Sequence, residues 1–163
     1  RLQSIIRSMM PSRKGNCDMK SLLLAAMLGI SMIGAAKADG SSTVYEYNGS
    51  FGDATFSVES AIVGKGLVID YVSHTGEMLN RTGADVGSQK KLFDEADIFV
   101  FCSAVVSRKV MEIDPANIAH CPYGIFVAER DGKVTVGYRN YPKGAMQQVQ
   151  VLLDEIVKEA VGK

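Results

Sequence analysis

Residues 123–140 read YGIFVAERDGKVTVGYRN, and this stretch decides the fold. Two runs rich in β-branched and aromatic residues, 123–130 and 133–140, flank Asp131-Gly132. Runs of this kind joined by Asp-Gly form a two-residue β-hairpin. The loop fixes the register. Val127 is then paired with Val136 and Ile125 with Tyr138 on one face. On the other face Phe126 lies over Gly137, and Ala128 opposes Thr135.

Toward the C-terminus, Tyr141-Pro142-Lys143-Gly144 breaks the chain. Residues 145–161 come next as an amphipathic helix with Met146, Val149, Leu152, Leu153, Ile156 and Ala160 along its stripe. Toward the N-terminus, residues 118–121 are a connector. Ser103 is suited to cap a helix from Ala104 to about Ile113, which Asp114-Pro115 stops. Residues 98–101 are continuously apolar, as in a central strand covered on both faces. Residues 74–86 read as a helix, and Leu92 and Phe93 anchor the polar stretch after it. Residues 67–72 alternate as a strand, with Leu67, Ile69 and Tyr71 pointing one way. A helix capped by Asp53 carries Phe56, Val58, Ala61 and Ile62 and ends at Gly64-Lys65-Gly66. Residues 43–47 form the first strand. The order is β-α-β-α-β-α-β-β-α. Interspersed helices and one late hairpin predict an α+β domain, a mixed sheet with helices packed on it.

The 163-residue chain has 18 basic and 18 acidic side chains and no net charge. That balance averages two unlike pieces. Residues 1–38 carry six basic side chains against Asp18, a net +5, and residues 39–163 carry twelve basic against seventeen acidic, a net −5. The first piece reads as an upstream extension followed by a signal peptide. Met19-Lys20 is a start with a short basic flank, and residues 21–36 (SLLLAAMLGISMIGAA) are apolar and uncharged. Ala36-Lys37-Ala38 offers small residues at the two positions a signal peptidase reads. The run is shorter than the roughly 20 residues of a permanent membrane helix. Cleavage between Ala38 and Asp39 then delivers residues 39–163 to the periplasm or beyond, with no membrane span left. An acidic domain argues against a nucleic-acid partner. Ordinary composition at this length predicts one domain with its own core.

Cys17 leaves with the leader, which makes Cys102 and Cys121 a pair. A structural disulfide between them closes a loop of about 19 residues and stabilises by about 3 kcal/mol in the chain-entropy model. Two separate buried thiols would instead pack as small hydrophobes. In a third reading, Cys102 lies just before the cap Ser103, where helix-terminal N–H groups lower its pKa. That gives a reactive thiol or a soft-metal ligand. His120 adjoins Cys121, and His74 and Met78 are four apart on one helix. With Met111 these residues form a donor inventory suited to copper(I) or haem iron, although no pair has C-x-x-C spacing.

Enzyme templates fit poorly. The sequence has no P-loop, no G-x-G-x-x-G and no H-E-x-x-H. Phe101-Cys102-Ser103-Ala104-Val105 lacks the glycines of a nucleophile elbow. Asp94, Glu95 and Asp97 read as a solvated acidic face, and Arg108, Lys109, Arg139 and Lys143 as ordinary surface charges. The first functional expectation is a secreted binding or accessory domain without catalysis, partnered by a small molecule or a periplasmic protein. The second is a periplasmic redox or metal/haem protein using Cys102 and Cys121, with His74 as a further ligand.

Residues 53–67, 98–103 and 118–142 resemble the domain-of-unknown-function 302 family, chiefly through IAHCPYGIFVAERDGKVTVGYRNYP at 118–142. The segments SHTGEML, FCSAVVSRKVMEIDPANI and HCPY are similar to a secreted branch of it. The resemblance implies a compact α+β domain, often a homodimer, and carries no activity or catalytic residues with it. The face bearing Phe126, Ala128, Thr135 and Gly137 is small and flat enough to meet a partner, a second copy included, or to be covered by a helix of the same chain. Where cytosolic members have Gly or Asn after the third strand, this chain has Cys102-Ser103.

Overall fold

A computed structural model describes residues 37–163. Of the expected upstream extension and signal peptide, residues 1–38, all but the last two lie outside them. The expected cut after Ala38 falls inside β1 (Lys37–Asp39), so processing there would take two of its three residues.

The nine expected elements occur in the expected order. They are β2 (Ser42–Tyr47), α1 (Phe51–Gly64), β3 (Val68–Ser73), α2 (Thr75–Thr82), β4 (Glu95–Cys102), α3 (Ala104–Ile113), β5 (Tyr123–Arg130), β6 (Lys133–Arg139) and α4 (Gln147–Ala160). The class is α+β. Among the described residues no helix is long and apolar enough to cross a membrane.

The strands form one sheet in the order β1-β2-β6-β5-β4-β3, and every neighbouring pair is antiparallel. The mixed sheet expected from alternating strands and helices is therefore replaced by an antiparallel one. β2 and β3 do point the same way across α1, but β6, β5 and β4 lie between them. The α2 and α3 connections each return the chain at the end of the sheet it left, so the strands they join become antiparallel neighbours.

The hairpin has the register its loop dictates: Ile125 opposite Tyr138, Phe126 opposite Gly137, Val127 opposite Val136, Ala128 opposite Thr135. Asp131 (φ 53°) and Gly132 (φ 70°) close it, both in the left-handed region a two-residue loop needs. Gly137 is fixed by crowding. A Cβ there would stand 2.5 Å from the Thr43 carbonyl oxygen and 2.6 Å from the Phe126 ring.

Alternate strand residues face the helices. Phe99, Phe101, Ile125, Val127, Val136 and Tyr138 are buried against Val58 and Ile62 of α1 and Val149, Leu153 and Ile156 of α4. Each such side chain contributes about 1.5–3 kcal/mol by leaving water. The opposite side of the strands is less covered. Ile98, Val100, Phe126 and Ala128 are half-buried there, so β4 is not sealed on both faces as its apolar run implied.

Three local readings change. Ser50, not Asp53, caps α1. Its side chain accepts from Asp53 N–H, and the Asp53 carboxylate accepts from Ser50 N–H, a reciprocal capping box. Starting the helix three residues earlier turns Phe51 and Ala54 inward and leaves Phe56 71% exposed. In β3 the register slips between Ile69 and Tyr71. This bulge at Asp70 breaks the alternation, so Ile69 and Val72 pack on the core while Tyr71 is 64% exposed. The helix expected over 74–86 ends at Thr82, and a 3-10 turn (Ala84–Val86) comes after it.

Asp154 ties α4 to the sheet. Its Oδ1 accepts from the Tyr45 hydroxyl of β2 at 2.6 Å and the Tyr138 hydroxyl of β6 at 2.8 Å, while Lys158 Nζ lies 2.6 Å from Oδ2. Partial burial opposes the charge, but the hydrogen bonds from Lys158, Tyr45 and Tyr138 outweigh it and hold the carboxyl below its ordinary value. Burial, followed by the Asp154 hydrogen bond and charge, pushes Tyr45 up to about 12. A depressed carboxyl pKa stabilises the fold at neutral pH and stops doing so as pH falls below about 4. A raised phenol pKa stabilises below about pH 10, a contribution lost as pH climbs toward 12. Asp154→Ala leaves two buried hydroxyls without their acceptor and is expected to cost about 3 kcal/mol. Urea unfolding at pH 7 measures this, and the same titration at pH 3.5 should find the two proteins closer in stability.

Candidate functional site

β4 delivers Cys102 to the edge of the core. Ser103 then caps α3, its Oγ accepting from Val106 N–H at 3.2 Å. One turn into the helix stands Ser107. The 3-10 turn Pro115–His120 brings the chain back to Cys121, and Tyr123 opens β5 opposite Phe101 of β4. That pairing sets Cys121 beside Cys102. Their sulfurs are 3.2 Å apart, both as free thiols.

The two sulfurs have different surroundings. Cys102 is exposed and Cys121 half-buried. Cys121 Sγ lies 3.6 Å from Ser107 Oγ, which in turn is 2.8 Å from the Tyr123 hydroxyl. Burial pushes the Tyr123 hydroxyl up to about 12, against the pull of Ser107. Partial burial, then the Cys121 thiol, push Cys102 up to about 11; the backbone N–H of Tyr123 opposes this and the Asp70 carboxylate adds to it. The expected lowering of Cys102 by the α3 terminus does not occur. Burial and the neighbouring Cys121 thiol outweigh the one lowering contact, the backbone N–H of Tyr123.

Tyr141 lies beside this pair. Its ring meets Tyr123 edge-on at 6.1 Å and His120 at 5.9 Å. Its hydroxyl is buried and has no hydrogen-bond partner among the described residues. Burial raises its pKa, and Arg139, by its charge and by a weak contact short of a well-formed hydrogen bond, pulls the other way.

The remaining sequence candidates do not converge here. His74 is the N-cap residue of α2, and its Nδ1 bonds Asp97 Oδ1 at 2.8 Å. Val68 pairs with Cys102 and Ser73 with Ile98, so the length of β3, roughly 17 Å, separates His74 from the thiols. Met78 sits on α2, 42% exposed, and Met111 packs against the core. His120 is adjacent in sequence to Cys121, with its ring on Tyr141. Among the described residues no group of three or more His, Cys, Asp and Glu side chains is placed to hold a metal ion. A shallow cavity of about 650 Å³ lies at the far end of β4, lined by Phe51, His74, Glu77, Arg81, Glu95 and Asp97. Asp94 is paired with Lys91 at 2.8 Å.

The model of one family, described as a domain of unknown function, DUF302, matches residues 43–163. The chain belongs to the DUF302 family. Among solved structures, the DUF302 protein from Bacillus stearothermophilus, titled an uncharacterized conserved protein, superposes with a TM-score of 0.51. It shares 14% identity, and the match covers 74% of this chain and 88% of that one. At this identity the likeness concerns the fold. No curated protein matches the chain.

Sequence reasoning named both cysteines of this cluster and missed Ser107, Tyr123 and Tyr141. The signal for Tyr123 was present, since it starts the hairpin strand. Ser107 required knowing which face of α3 turns inward. Replacing Tyr141 by Phe removes an unpaired buried hydroxyl without changing the ring. We expect Tyr141→Phe to stabilise the domain by about 1 kcal/mol, read as a higher urea midpoint at unchanged slope.

Proposed function

We propose that this DUF302 domain is an exported, non-catalytic accessory protein whose working element is a reversible Cys102–Cys121 disulfide. The observation that carries the reading is the 3.2 Å separation of two free sulfurs, one of them exposed. Export is supported by the apolar run at 21–36 and the Ala36-Lys37-Ala38 site after it. In an oxidising compartment a thiol pair so placed reacts with a disulfide of another protein or of a small molecule. Two S–H bonds are lost, one S–S bond forms, and two electrons with two protons reduce the oxidant to two thiols. A thiol held at a raised pKa does not stabilise the reduced form as thiolate, which favours the disulfide side of the equilibrium. The copper and haem readings have less support, because His74 and Met78 stand far from the sulfurs.

Oxidised glutathione is the test. After treatment, peptide mapping by mass spectrometry should recover residues 102 and 121 in one cross-linked peptide. The oxidised domain should be more stable than the reduced one by about 3 kcal/mol. Persistence of both free thiols, or glutathione adducts on both without a cross-link, would remove the reading.

We also propose that the domain self-associates through the side of the sheet turned away from α1 and α4. Val68 and Tyr71 are exposed there, and Ile98, Val100, Phe126 and Ala128 lie half-buried between them and β6. A contiguous apolar surface of this kind marks an interface. Sedimentation at micromolar concentration should find a dimer, and Phe126→Glu should give a monomer of unchanged fold. A monomeric wild type would rule out this association.

A further inference from the structure

We propose that Cys102 Sγ is the sulfur that exchanges with an incoming thiolate, and that Ser107 is the positioning residue that makes Cys121 Sγ the leaving group. This rests on the reversible disulfide and adds its direction and its substrate class, a free thiol.

Access favours Cys102. It is exposed at the end of β4, while Cys121 is half-buried under α3. The departing charge favours Cys121. When an S–S bond breaks, the sulfur that leaves takes the electron pair and must be stabilised as thiolate. Beside Cys121 Sγ stands Ser107 Oγ at 3.6 Å, with the Tyr123 hydroxyl 2.8 Å beyond it. Tyr123 O–H donating to Ser107 Oγ leaves the Ser107 proton free to point at Cys121. At Cys102 burial and, more weakly, the Asp70 carboxylate of β3 disfavour negative charge, and the backbone N–H of Tyr123 offsets only part of this.

The exchange balances. An external thiolate R–S⁻ attacks Cys102 Sγ, and a new S–S bond joins R to Cys102. The bond to Cys121 breaks, and its electron pair goes to Cys121 Sγ, which then takes a proton from water. A second thiolate attacks the sulfur of R, breaks the bond to Cys102, and leaves Cys102 to be protonated. Two external thiols become one external disulfide, and the Cys102–Cys121 pair gains two electrons.

The test uses the full chain, oxidised first and shown by mapping to contain the 102–121 cross-link. Limiting reduced glutathione is added at several pH values, quenched with acid, and the adduct is located by mass spectrometry. The expected adduct is on Cys102, at least about tenfold over Cys121. Ser107→Ala should slow reduction about tenfold and move the partition toward equality, as loss of a hydrogen bond to a charged sulfur requires. Ser107→Thr, which keeps the hydroxyl, should restore both rate and partition. The pH at which the rate rises should follow glutathione alone, not Tyr123 or Tyr141, whose hydroxyls burial pushes above the ordinary phenol range. A cysteine-containing peptide run in parallel separates a protein thiol from a small one as the donor. A wild-type adduct on Cys121, or an even split, would overturn the proposal, and needs no Ser107 variant to fold. So would a Ser107→Ala protein with unchanged rate and partition. Failure to form the cross-link at all would instead remove the disulfide reading beneath it.

Discussion

The register of one β-hairpin governs the placement of the other strands, the closing helix and the thiol pair. Asp131 and Gly132 occupy left-handed backbone positions, and the loop they form leaves a single way to pair β5 with β6. A slip by one residue would turn Ile125, Val127, Val136 and Tyr138 out of the core and put Phe126 in. Gly137 enforces the choice, since only a residue without Cβ fits between Thr43 and the Phe126 ring. From this pair the order propagates both ways. β2 adds to β6 and brings Tyr45 beside Tyr138, where one carboxylate oxygen of Asp154 receives both hydroxyls. β4 adds to β5 with Phe101 against Tyr123, and the thiols meet just past that point. The helix seat and the sulfur pair are two ends of one register.

Local rules acting within a few residues were legible in the sequence. The hairpin, the break at Tyr141-Pro142, the cap at Ser103 and the stripe of α4 each depend on near neighbours, and each stands where the residues place it. The order of nine elements results from them. Choices between competing neighbours were harder to see. Ser50 and Asp53 are both good capping residues, and the reciprocal pair they form starts α1 three residues before the Asp53 reading. The Asp70 bulge leaves little mark on a strand that alternates acceptably without it. The sheet's antiparallel character depends on where the α2 and α3 connections re-enter, which is a property of the assembled chain.

The site shows the same division. The cysteines were identifiable as a pair by count, but their approach to 3.2 Å comes from pairing between strands separated by a helix and a turn. The lowered thiol pKa expected at a helix start fails because burial and the adjacent Cys121 thiol push the other way. His74 and Met78 were grouped with the thiols by chemistry alone. β3 separates them in space, and His74 is engaged with Asp97 instead.

The sulfurs bracket a closed stretch of chain. Between Cys102 and Cys121 run the whole of α3 and the 3-10 turn after it. Once the sulfurs are joined, this stretch becomes a covalent ring set into the sheet. A single peptide cut anywhere from Ser103 to His120 would then open the ring without parting the molecule. β1 to β4 would stay fastened to β5, β6 and α4 by a bond outside the backbone. With the thiols free, only the β4–β5 ladder and the shared core would hold the two pieces of such a nicked chain together; with them joined, a covalent bond would as well.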